Sequence, residues 1–281
     1  MQSTDDSLPR PKVSLEPEEG WHCQHWFYRF DRARLRTLGP AEHGDGCRDF
    51  CGILDAQSPE APARLQTFLV MGHKADFGIM MLDPDPLKLD RVHQRLLAGL
   101  LGPTIEPMWS FVSMTDVSEY LPTVDDYADR LRREGLEPES QEYVQRRQQY
   151  AKRYEIMRRQ RLQPDLPNWP AYCFYPMNKR RLPEANWFLL GFEERDRLMR
   201  EHGETGLAFA GKVTQLVTVG IGLDDWEWGV TLWARNPQFL KEIVYRMRFD
   251  EASARYAEFG PFYTGYQATP QQILCQCRVC G

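Results

Sequence analysis

The sequence predicts an α+β fold in which a ferredoxin-like β-α-β-β-α-β unit occurs twice, with two antiparallel sheets packed face to face and flanked by helices, as in a dimeric α+β barrel. The main observation is an order of elements that appears twice: an acidic turn, an apolar strand, a helix and an aromatic strand. The second observation is a strongly charged segment between the two copies. The copies include GHKADFGIMML at residues 72–82 and GIGLDDWEWGVTLW at residues 220–233.

The first copy is assigned to residues 20–123. Residues 21–30, WHCQHWFYRF, are aromatic enough for a strand, and Asp31 is placed to cap a short helix that ends at Arg36. Residues 38–62 are predicted to be a loop. The other predicted elements are strands at residues 67–71 and 76–82, an amphipathic helix at 86–101 and a strand at 107–117. Residues 1–19 contain three prolines and have the composition of a disordered lead-in.

The second copy is assigned to residues 169–267, after a charged connector at residues 124–168. The connector is predicted to form one or two solvated helices, interrupted near residues 135–138. In the second copy, residues 193–202 have helical spacing, and Gly203 is a typical residue just after a helix end. Two strands rich in Val, Thr and Trp are predicted at residues 212–219 and 226–233, forming a hairpin that faces this helix. Residues 268–281 form a tail.

Composition excludes several classes of protein. The chain has 281 residues, of which 42% are hydrophobic, so it can build a sizeable core in one or two domains. No segment approaches the roughly 18 uninterrupted apolar residues of a membrane span, and the N-terminus lacks the features of an export signal. A net charge of −5 argues against a general nucleic-acid binder. An acidic ligand would therefore need a local cluster of cations.

The seven cysteines predict reduced thiols in a cytoplasmic protein, because their number is odd and no secretion signal is present. Three of them, Cys275, Cys277 and Cys280, form a C-x-C-x-x-C cluster in the tail. With a fourth donor such as Cys47 or Cys51, this cluster could ligate zinc or an iron–sulfur cluster. The other interpretation is a set of exposed thiols on a frayed end, since no closed four-ligand motif is present. Both interpretations stay open at this point.

Two short segments of the second copy contain residues suited to chemistry. His202 at the predicted helix end either interacts with the last helical carbonyls or coordinates a metal. Tyr175 ends the apolar run AYCFYP, so it is either a strand-end aromatic or an oxidisable phenol. Lys179, Arg180 and Arg181 follow it, and they are either a solvated charge run or a cationic site for a polyanionic ligand.

Several long motifs around these residues agree in order and spacing with one family. The motifs are FYPMNKRR at residues 174–181, HGETG at 202–206, AGKVTQ at 210–215, DDWEWGVTL at 224–232 and VYRMRFDEASARYAEFG at 244–260. Together they resemble the coproheme decarboxylases of the chlorite dismutase superfamily. The resemblance extends over about residues 20–267.

The resemblance implies an enzyme that uses hydrogen peroxide to convert iron coproporphyrin III (coproheme) to haem b. Two propionates would become vinyl groups with loss of carbon dioxide, and the porphyrin would be both the substrate and the redox centre. In this resemblance, His202 matches the proximal ligand of the porphyrin iron. Tyr175 matches the tyrosine whose radical takes a hydrogen from one propionate, and Lys179 matches the catalytic lysine beside the other reactive propionate.

Five further residues match the substrate pocket of the resembled family. Arg161 matches an arginine that anchors propionates, and Ser253 matches a serine that hydrogen-bonds one of them. Trp187 and Trp228 match pocket tryptophans, although by composition alone they could equally be core residues. Gln215 matches the distal position, where chlorite-converting members have an arginine and decarboxylases of the Gram-positive type have a glutamine.

Two other classes of function stay open. A haem-binding or haem-transfer protein would need His202, but it would not need Tyr175 and Lys179 together. A peroxidase or chlorite dismutase-like enzyme would need a polar distal catalyst, and the neutral Gln215 is a poor acid or base. The resemblance also implies a homopentamer, and a transient contact with the ferrochelatase of the same pathway.

Overall fold

The computed structural model describes residues 13–280. The first half and the connector contain β1 (His22–Phe30), α1 (Arg32–Leu35), α2 (Pro40–Ile53), β2 (Arg64–Val70), β3 (Phe77–Asp83), α3 (Pro86–Ala98), β4 (Ile105–Thr115), α4 (Val124–Arg133) and α5 (Gln141–Leu162). The second half contains β5 (Ala171–Lys179), β6 (Arg181–Leu182), β7 (Ala185–Asn186), α6 (Phe192–Leu207), β8 (Val213–Val219), β9 (Trp228–Ala234), α7 (Pro237–Met247), α8 (Glu251–Tyr256), β10 (Ala257–Phe259), β11 (Tyr263–Gln267) and α9 (Pro270–Gln276).

The strands form a closed antiparallel sheet with helices outside it. The strand order is β2-β3-β1-β4 in the first half and β8-β9-β5-β11 in the second, and each is the order of a ferredoxin-like unit. Pairing of β4 with β8 and of β2 with β11 joins the halves at both edges. The predicted α+β class with an antiparallel sheet and flanking helices is confirmed. The two expected sheets are, however, one continuous barrel, because each half hydrogen-bonds the other along its free edges.

Aromatic side chains fill the inside of the barrel. Alternate residues of β1, β2, β4 and β5 point inward, and they bring Phe27, Phe68, Phe111 and Phe174 into one buried cluster. His25 lies among them, stacked on Phe174 at 4.0 Å, and burial lowers its pKa to about 3. This histidine is therefore neutral and belongs to the core.

The opposite face of the second-half strands packs against helices. Tyr175 of β5 and Val230 and Leu232 of β9 contact Leu240 and Ile243 of α7 in a separate apolar cluster. Helices α2 and α3 cover the first half in the same manner, over residues such as Phe77 and Ile79 of β3. Each half thus has a two-layer arrangement, with the barrel interior shared between them.

The structure corrects two predicted element boundaries. Residues 38–62 were expected to be a loop, but Pro40–Ile53 form a helix whose buried face includes Cys47, Phe50 and Ile53. The several glycines of this segment conceal the helical pattern, whereas Pro at its first turn and packing against the barrel allow it to form. The helix predicted to stop at Gly203 continues to Leu207, so His202 does not lie in its last turn.

The tail has a feature that neither interpretation of its cysteines included, although Cys275 and Cys277 are free thiols. Cys280 forms a disulfide with Cys47 of α2, so the expectation that these two thiols are reduced is wrong in this structure. The tail is not frayed, because Ile273 and Leu274 are fully buried and Val279 is nearly so. Within residues 13–280, no three His, Cys, Asp or Glu side chains are placed to hold a metal ion.

The connector and the N-terminal segment can also be compared with their predictions. The connector forms two helices, α4 and α5, interrupted between residues 133 and 141 as expected. Most of the predicted lead-in, residues 1–12, lies outside the described residues, and residues 13–19 are in neither a helix nor a strand. No described helix is both long enough and apolar enough to span a lipid bilayer.

Candidate functional site

The centre of the site is a histidine–carboxylate pair between α6 and the start of α8. His202 Nδ1 lies 3.0 Å from Asp250 Oδ2, and the Asp250 side chain is 1% exposed. Ser253 donates its hydroxyl proton to the same Asp250 oxygen at 3.2 Å, and its Oγ is 3.3 Å from His202 Nδ1. The imidazole ring is therefore held in one orientation by two polar groups.

Local sequence explains why Asp250 is in place. Asp250 is the N-cap of α8, and its Oδ1 accepts the backbone N–H of Ser253 at 2.8 Å. Burial by itself would raise the pKa of this carboxyl, but the hydrogen bond and charge of His202 and the donors of Ser253 outweigh burial and hold the pKa below its usual range. Asp250 is thus a carboxylate that remains charged while buried.

The pair leaves one imidazole nitrogen for a ligand. Asp250 occupies the Nδ1 side of His202, and in residues 13–280 no hydrogen bond is made by Nε2. A histidine oriented by a carboxylate through one nitrogen and open at the other is the usual arrangement of a metal-ligating imidazole. The side chain is 26% exposed, so a bound group could reach it. These residues fit a site in which His202 would hold a porphyrin iron through Nε2.

Lys179 is a buried cation beside this pair. It is 8% exposed, and its Nζ lies 3.9 Å from the centre of the Trp187 ring. Burial lowers its pKa to about 8, although Asp250 and Glu227 both oppose that shift. Lys179 and Trp187 therefore lie close to each other and within electrostatic range of Asp250.

The charge run that begins at Lys179 is solvated only in part, because Lys179 is buried whereas the Arg181 side chain is 60% exposed. Glu227, which is 6% exposed, accepts the backbone N–H of Lys179 at 2.8 Å and forms an ion pair with Arg181. Arg180 donates its backbone N–H to Tyr256 O at 2.7 Å. The run is fixed on both sides, and this rigidity keeps the Lys179 side chain directed into the protein.

Tyr175 lies on the same strand face as Lys179, because residues four apart in a strand point to the same side. It is 6% exposed and stacks on Phe262 with ring centres 4.5 Å apart. Burial, and secondarily Cys173, raises its pKa well above the usual value for a phenol, while Arg248 opposes that shift. The phenol is therefore protonated across the physiological range.

Arg161 and Gln215 line a different cavity of about 430 Å³, together with residues of the segment after α5. Neither Tyr175, Lys179 nor His202 lines this cavity. Another cavity, of about 980 Å³, lies beside the tail near Arg32 and Arg278 and likewise contains none of the predicted porphyrin residues. The side-chain chemistry at His202 is a better guide to the site than cavity size, since metal coordination depends on donor atoms.

The structure therefore brings some predicted residues together and leaves others apart. His202 and Ser253 contact Asp250, Lys179 lies within electrostatic range of it, and Trp187 packs on Lys179. Tyr175 lies four residues before Lys179 on the same strand. Trp228 is partly buried at the start of β9, where its backbone pairs with Met177 of β5. Arg161 and Gln215 share the separate cavity. The predicted contact of Ser253 with a propionate stays a prediction, and its hydroxyl here faces Asp250.

Three residues of the site were not predicted from the sequence. Asp250 orients His202, and Glu227 accepts the backbone N–H of Lys179. Arg248 is the cation whose charge opposes the rise that burial causes in the pKa of Tyr175. Asp250 could have been suspected from DEAS, where an Asp three residues before Ser precedes a short helix as a capping residue. The sequence around Glu227 and Arg248 does not indicate their roles, because the residues that they contact or influence are distant in sequence.

An eight-stranded α+β barrel with an oriented, ligand-accessible histidine defines the class of protein. A profile of the chlorite dismutase family matches residues 42–268. The chain belongs to the chlorite dismutase family. This assignment agrees with the fold and with the position of the histidine outside the barrel.

Relatives and solved structures are consistent with this family. A "putative heme-binding protein" of Natronomonas pharaonis is 37% identical over 266 residues, which cover 91% of this chain and 40% of that protein. The chain thus spans well under half the length of that relative. A novel heme-binding protein from Thermus thermophilus has 34% identity and a TM-score of 0.75, over 94% of this chain and 98% of that one. A mutant chlorite dismutase from Candidatus Nitrospira defluvii, at 15% identity and a TM-score of 0.69 over 94% and 97% of the two chains, shares the fold.

The first prediction concerns the pH dependence of the His202–Asp250 contact. Asp250→Asn should lower the free energy of unfolding at pH 7 by about 1–3 kcal/mol, because a buried charged hydrogen bond is lost. Since the pKa of Asp250 is depressed in the folded protein, its contribution is complete above the unfolded pKa of about 3.9 and is lost as pH falls through the lower folded value. Urea unfolding of both proteins from pH 7 to pH 3 measures this difference.

Asp225→Asn is the matched control, because Asp225 is exposed in a turn of the same half. A gap between wild type and Asp250→Asn that stays constant to pH 3 would contradict the assignment of a buried, charged Asp250.

Proposed function

We propose that this protein is a hydrogen peroxide-dependent coproheme decarboxylase, which binds iron coproporphyrin III and converts two of its propionates to vinyl groups to give haem b. The observation that supports this most strongly is a buried lysine, Lys179, next to the His202–Asp250 pair and on the same strand face as Tyr175. Two relatives whose names describe heme binding support a porphyrin as the ligand.

His202 is the residue that would hold the porphyrin iron through Nε2, because Asp250 engages its Nδ1. When bound, the iron supplies the reaction with hydrogen peroxide. The negative charge of Asp250 makes the imidazole more electron-rich, and this favours a higher oxidation state of the metal that the imidazole binds. Asp250 therefore both orients His202 and adjusts its basicity.

Tyr175 has the properties required of a hydrogen-atom carrier. Its hydroxyl stays protonated because burial raises the pKa, so the phenol has a hydrogen atom to lose. In the proposed reaction the oxidised Tyr175 takes a β-hydrogen from a propionate, and the substrate then loses an electron and carbon dioxide. The overall balance for each propionate is one propionic acid group and one hydrogen peroxide giving one vinyl group, carbon dioxide and two waters. Aromatic neighbours such as the partly buried Phe262 keep water away from the phenol.

Lys179 is proposed to bind the propionate that reacts. Its pKa of about 8 keeps it largely charged at neutral pH, and a carboxylate would be its natural partner in a site with little water. When the carboxylate leaves as carbon dioxide, the ion pair is lost, so the site holds the product less tightly than the substrate. Arg161 and Gln215 line a separate cavity in this structure, so their contact with the remaining propionates and the distal side is proposed from the family resemblance alone.

A haem-binding or haem-transfer protein is the second candidate, because the names of two relatives describe heme binding and no more. Such a protein has no need for a buried lysine beside the ligand site, since a buried charge costs free energy unless it is used. A chlorite dismutase-like or peroxidase activity is less favoured, because the neutral Gln215 cannot stabilise a charged oxychlorine species or transfer a proton efficiently.

We further propose a homopentamer and a transient contact with the ferrochelatase that supplies the porphyrin. Large apolar side chains near the site are exposed in the single chain, among them Leu189 at 80% and Leu207 at 72%. Surface patches of this kind are typical of sites of protein association.

Replacing Tyr175 by Phe distinguishes binding of the porphyrin from its decarboxylation. Tyr175→Phe keeps the ring and its packing on Phe262, so iron coproporphyrin should bind with near wild-type affinity, whereas both decarboxylations should stop. Binding is measured by the absorbance of the porphyrin, and products by mass after addition of peroxide.

Tyr172→Phe is the control, because Tyr172 is on the same strand but faces the barrel interior, where its hydroxyl has no hydrogen-bond partner. Haem b formation at the wild-type rate by Tyr175→Phe would remove Tyr175 from the mechanism and leave the haem-binding alternative in place.

The lowered pKa of Lys179 predicts the pH above which the reaction becomes slower. Because the pKa of Lys179 is lowered to about 8, the free protein should lose this cation above that pH, and kcat/KM for iron coproporphyrin should fall there. Lys179→Arg keeps the charge at all accessible pH values, so its profile should lack the fall near pH 8. The pH profile of kcat/KM for both proteins is the measurement, with the exposed Lys212→Arg as control. An unchanged alkaline limb in Lys179→Arg would show that another group titrates.

A further inference from the structure

Five of the seven cysteines lie on α2 or in the tail that packs against it. Cys47 and Cys51 are one helical turn apart on α2, and Cys275 and Cys280 face them from the tail. Cys47 and Cys280 are joined by the disulfide. This corner therefore concentrates sulfur atoms at a contact between two elements that are 233 residues apart in sequence.

Two of the three remaining thiols of this group, Cys51 and Cys275, are close to each other. Cys51 Sγ donates to Gln271 Oε1 at 3.5 Å, and Gln271 Nε2 donates to Cys275 Sγ at 3.6 Å, so a single amide bridges them. Burial and, after it, the nearby Cys275 raise the pKa of Cys51. A thiol pair thus lies one turn along α2 from the disulfide.

We propose that Cys47, Cys51, Cys275 and Cys280 are the ligands of one Zn²⁺ ion in the reduced protein, and that the Cys47–Cys280 disulfide is the metal-free, oxidised form of the same centre. Four thiolates from two short segments are a typical structural zinc set. In the disulfide form, Cys47 and Cys280 are not thiolate donors, and Cys51 and Cys275 alone cannot enclose a metal. This agrees with the lack of a metal-binding group among residues 13–280 in the oxidised state.

Binding of one ion requires the four sulfur atoms to approach one another. Zinc–sulfur bonds of about 2.3 Å place neighbouring sulfurs about 3.8 Å apart in a tetrahedron. Cys47 and Cys280 are already closer than this because they are bonded, and the side chain of Gln271, which bridges Cys51 and Cys275, has to move out from between them. Buried Ile273 and Leu274 keep the tail against the barrel while the sulfurs move.

The fifth cysteine of this corner is excluded from the ligand set. Cys277 lies in a different environment, where the neighbouring charged groups are Asp76 and Arg32. Arg32 also bonds the Cys277 carbonyl oxygen and pairs with Asp76 at 3.0 Å. Cys277 thus serves as a matched control in the same tail.

The conversion of the disulfide form to the zinc form is balanced in electrons and protons. A dithiol reductant transfers two electrons and two protons to the Cys47–Cys280 bond, so the disulfide becomes two thiols and the dithiol becomes a cyclic disulfide. Binding of Zn²⁺ by four thiols then releases four protons and gives a tetrathiolate with a net charge of −2. A peroxide would reverse the change by oxidising two of the thiolates, releasing the ion.

Cobalt titration of the reduced, full-length protein without air tests this proposal. Co²⁺ should bind once per chain with thiolate-to-cobalt absorption and tetrahedral visible bands, and Zn²⁺ should displace it. Cys51→Ser and Cys275→Ser should each weaken binding by at least about tenfold, because even loss of a group outside the ligand set costs about 10–100-fold. Cys277→Ser should bind like wild type, and the disulfide form should show no such spectrum.

Circular dichroism of each variant confirms that it is folded before titration. Equal cobalt affinity in Cys51→Ser and wild type, equal weakening by Cys277→Ser, or undiminished binding by the oxidised protein would each overturn the proposal. Iron and acid-labile sulfide in protein purified without air, lost in Cys51→Ser, would overturn the choice of zinc.

Discussion

The contact between His202 and Asp250 is the interaction on which the whole site depends. A buried carboxylate is stable only with partners, and Asp250 obtains them from the imidazole and from Ser253. The same contact fixes the rotation of the ring and selects which nitrogen faces outward. It also ties α6 to α8, so the position of the imidazole is set by the packing of two helices and not by a mobile loop. Under the proposed function, His202 would hold the iron from rigid elements, as an enzyme site requires.

Lys179 is the second constraint, because placing a cation in an apolar wall costs free energy that the fold must offset. The face of Trp187 and the negative charges of Asp250 and Glu227 provide part of that compensation, but the pKa is still lowered to about 8. The residual cost would be relieved by a carboxylate ligand. Under the proposed function, this interaction would favour the substrate's carboxylate and would be lost when that carboxylate leaves as carbon dioxide, so it would favour the proposed direction of the reaction.

Much of the fold could be predicted from sequence, because strands such as β1, β8 and β9 have strong aromatic and β-branched patterns and the order of elements repeats. Closure of the barrel could not, since it depends on pairing between edges that are remote in sequence. Helix α2 was missed because its glycines lower helix propensity, and tertiary packing overrides that effect. In the candidate site, motifs pointed to His202 and Lys179, whose roles stay predictions, whereas Asp250 was missed because its sequence signal is that of an ordinary helix cap. The disulfide was missed because it also joins residues that are remote in sequence.

The central claim is that this arrangement performs chemistry on the propionates and does not merely hold a porphyrin. Its most direct test is to form the complex of wild-type protein with iron coproporphyrin III, add hydrogen peroxide in steps and determine the mass of the porphyrin after each addition. The account predicts two successive losses, each equal to carbon dioxide plus two hydrogens, ending at haem b. A complex that consumes peroxide while the porphyrin keeps all four carboxylates would contradict it.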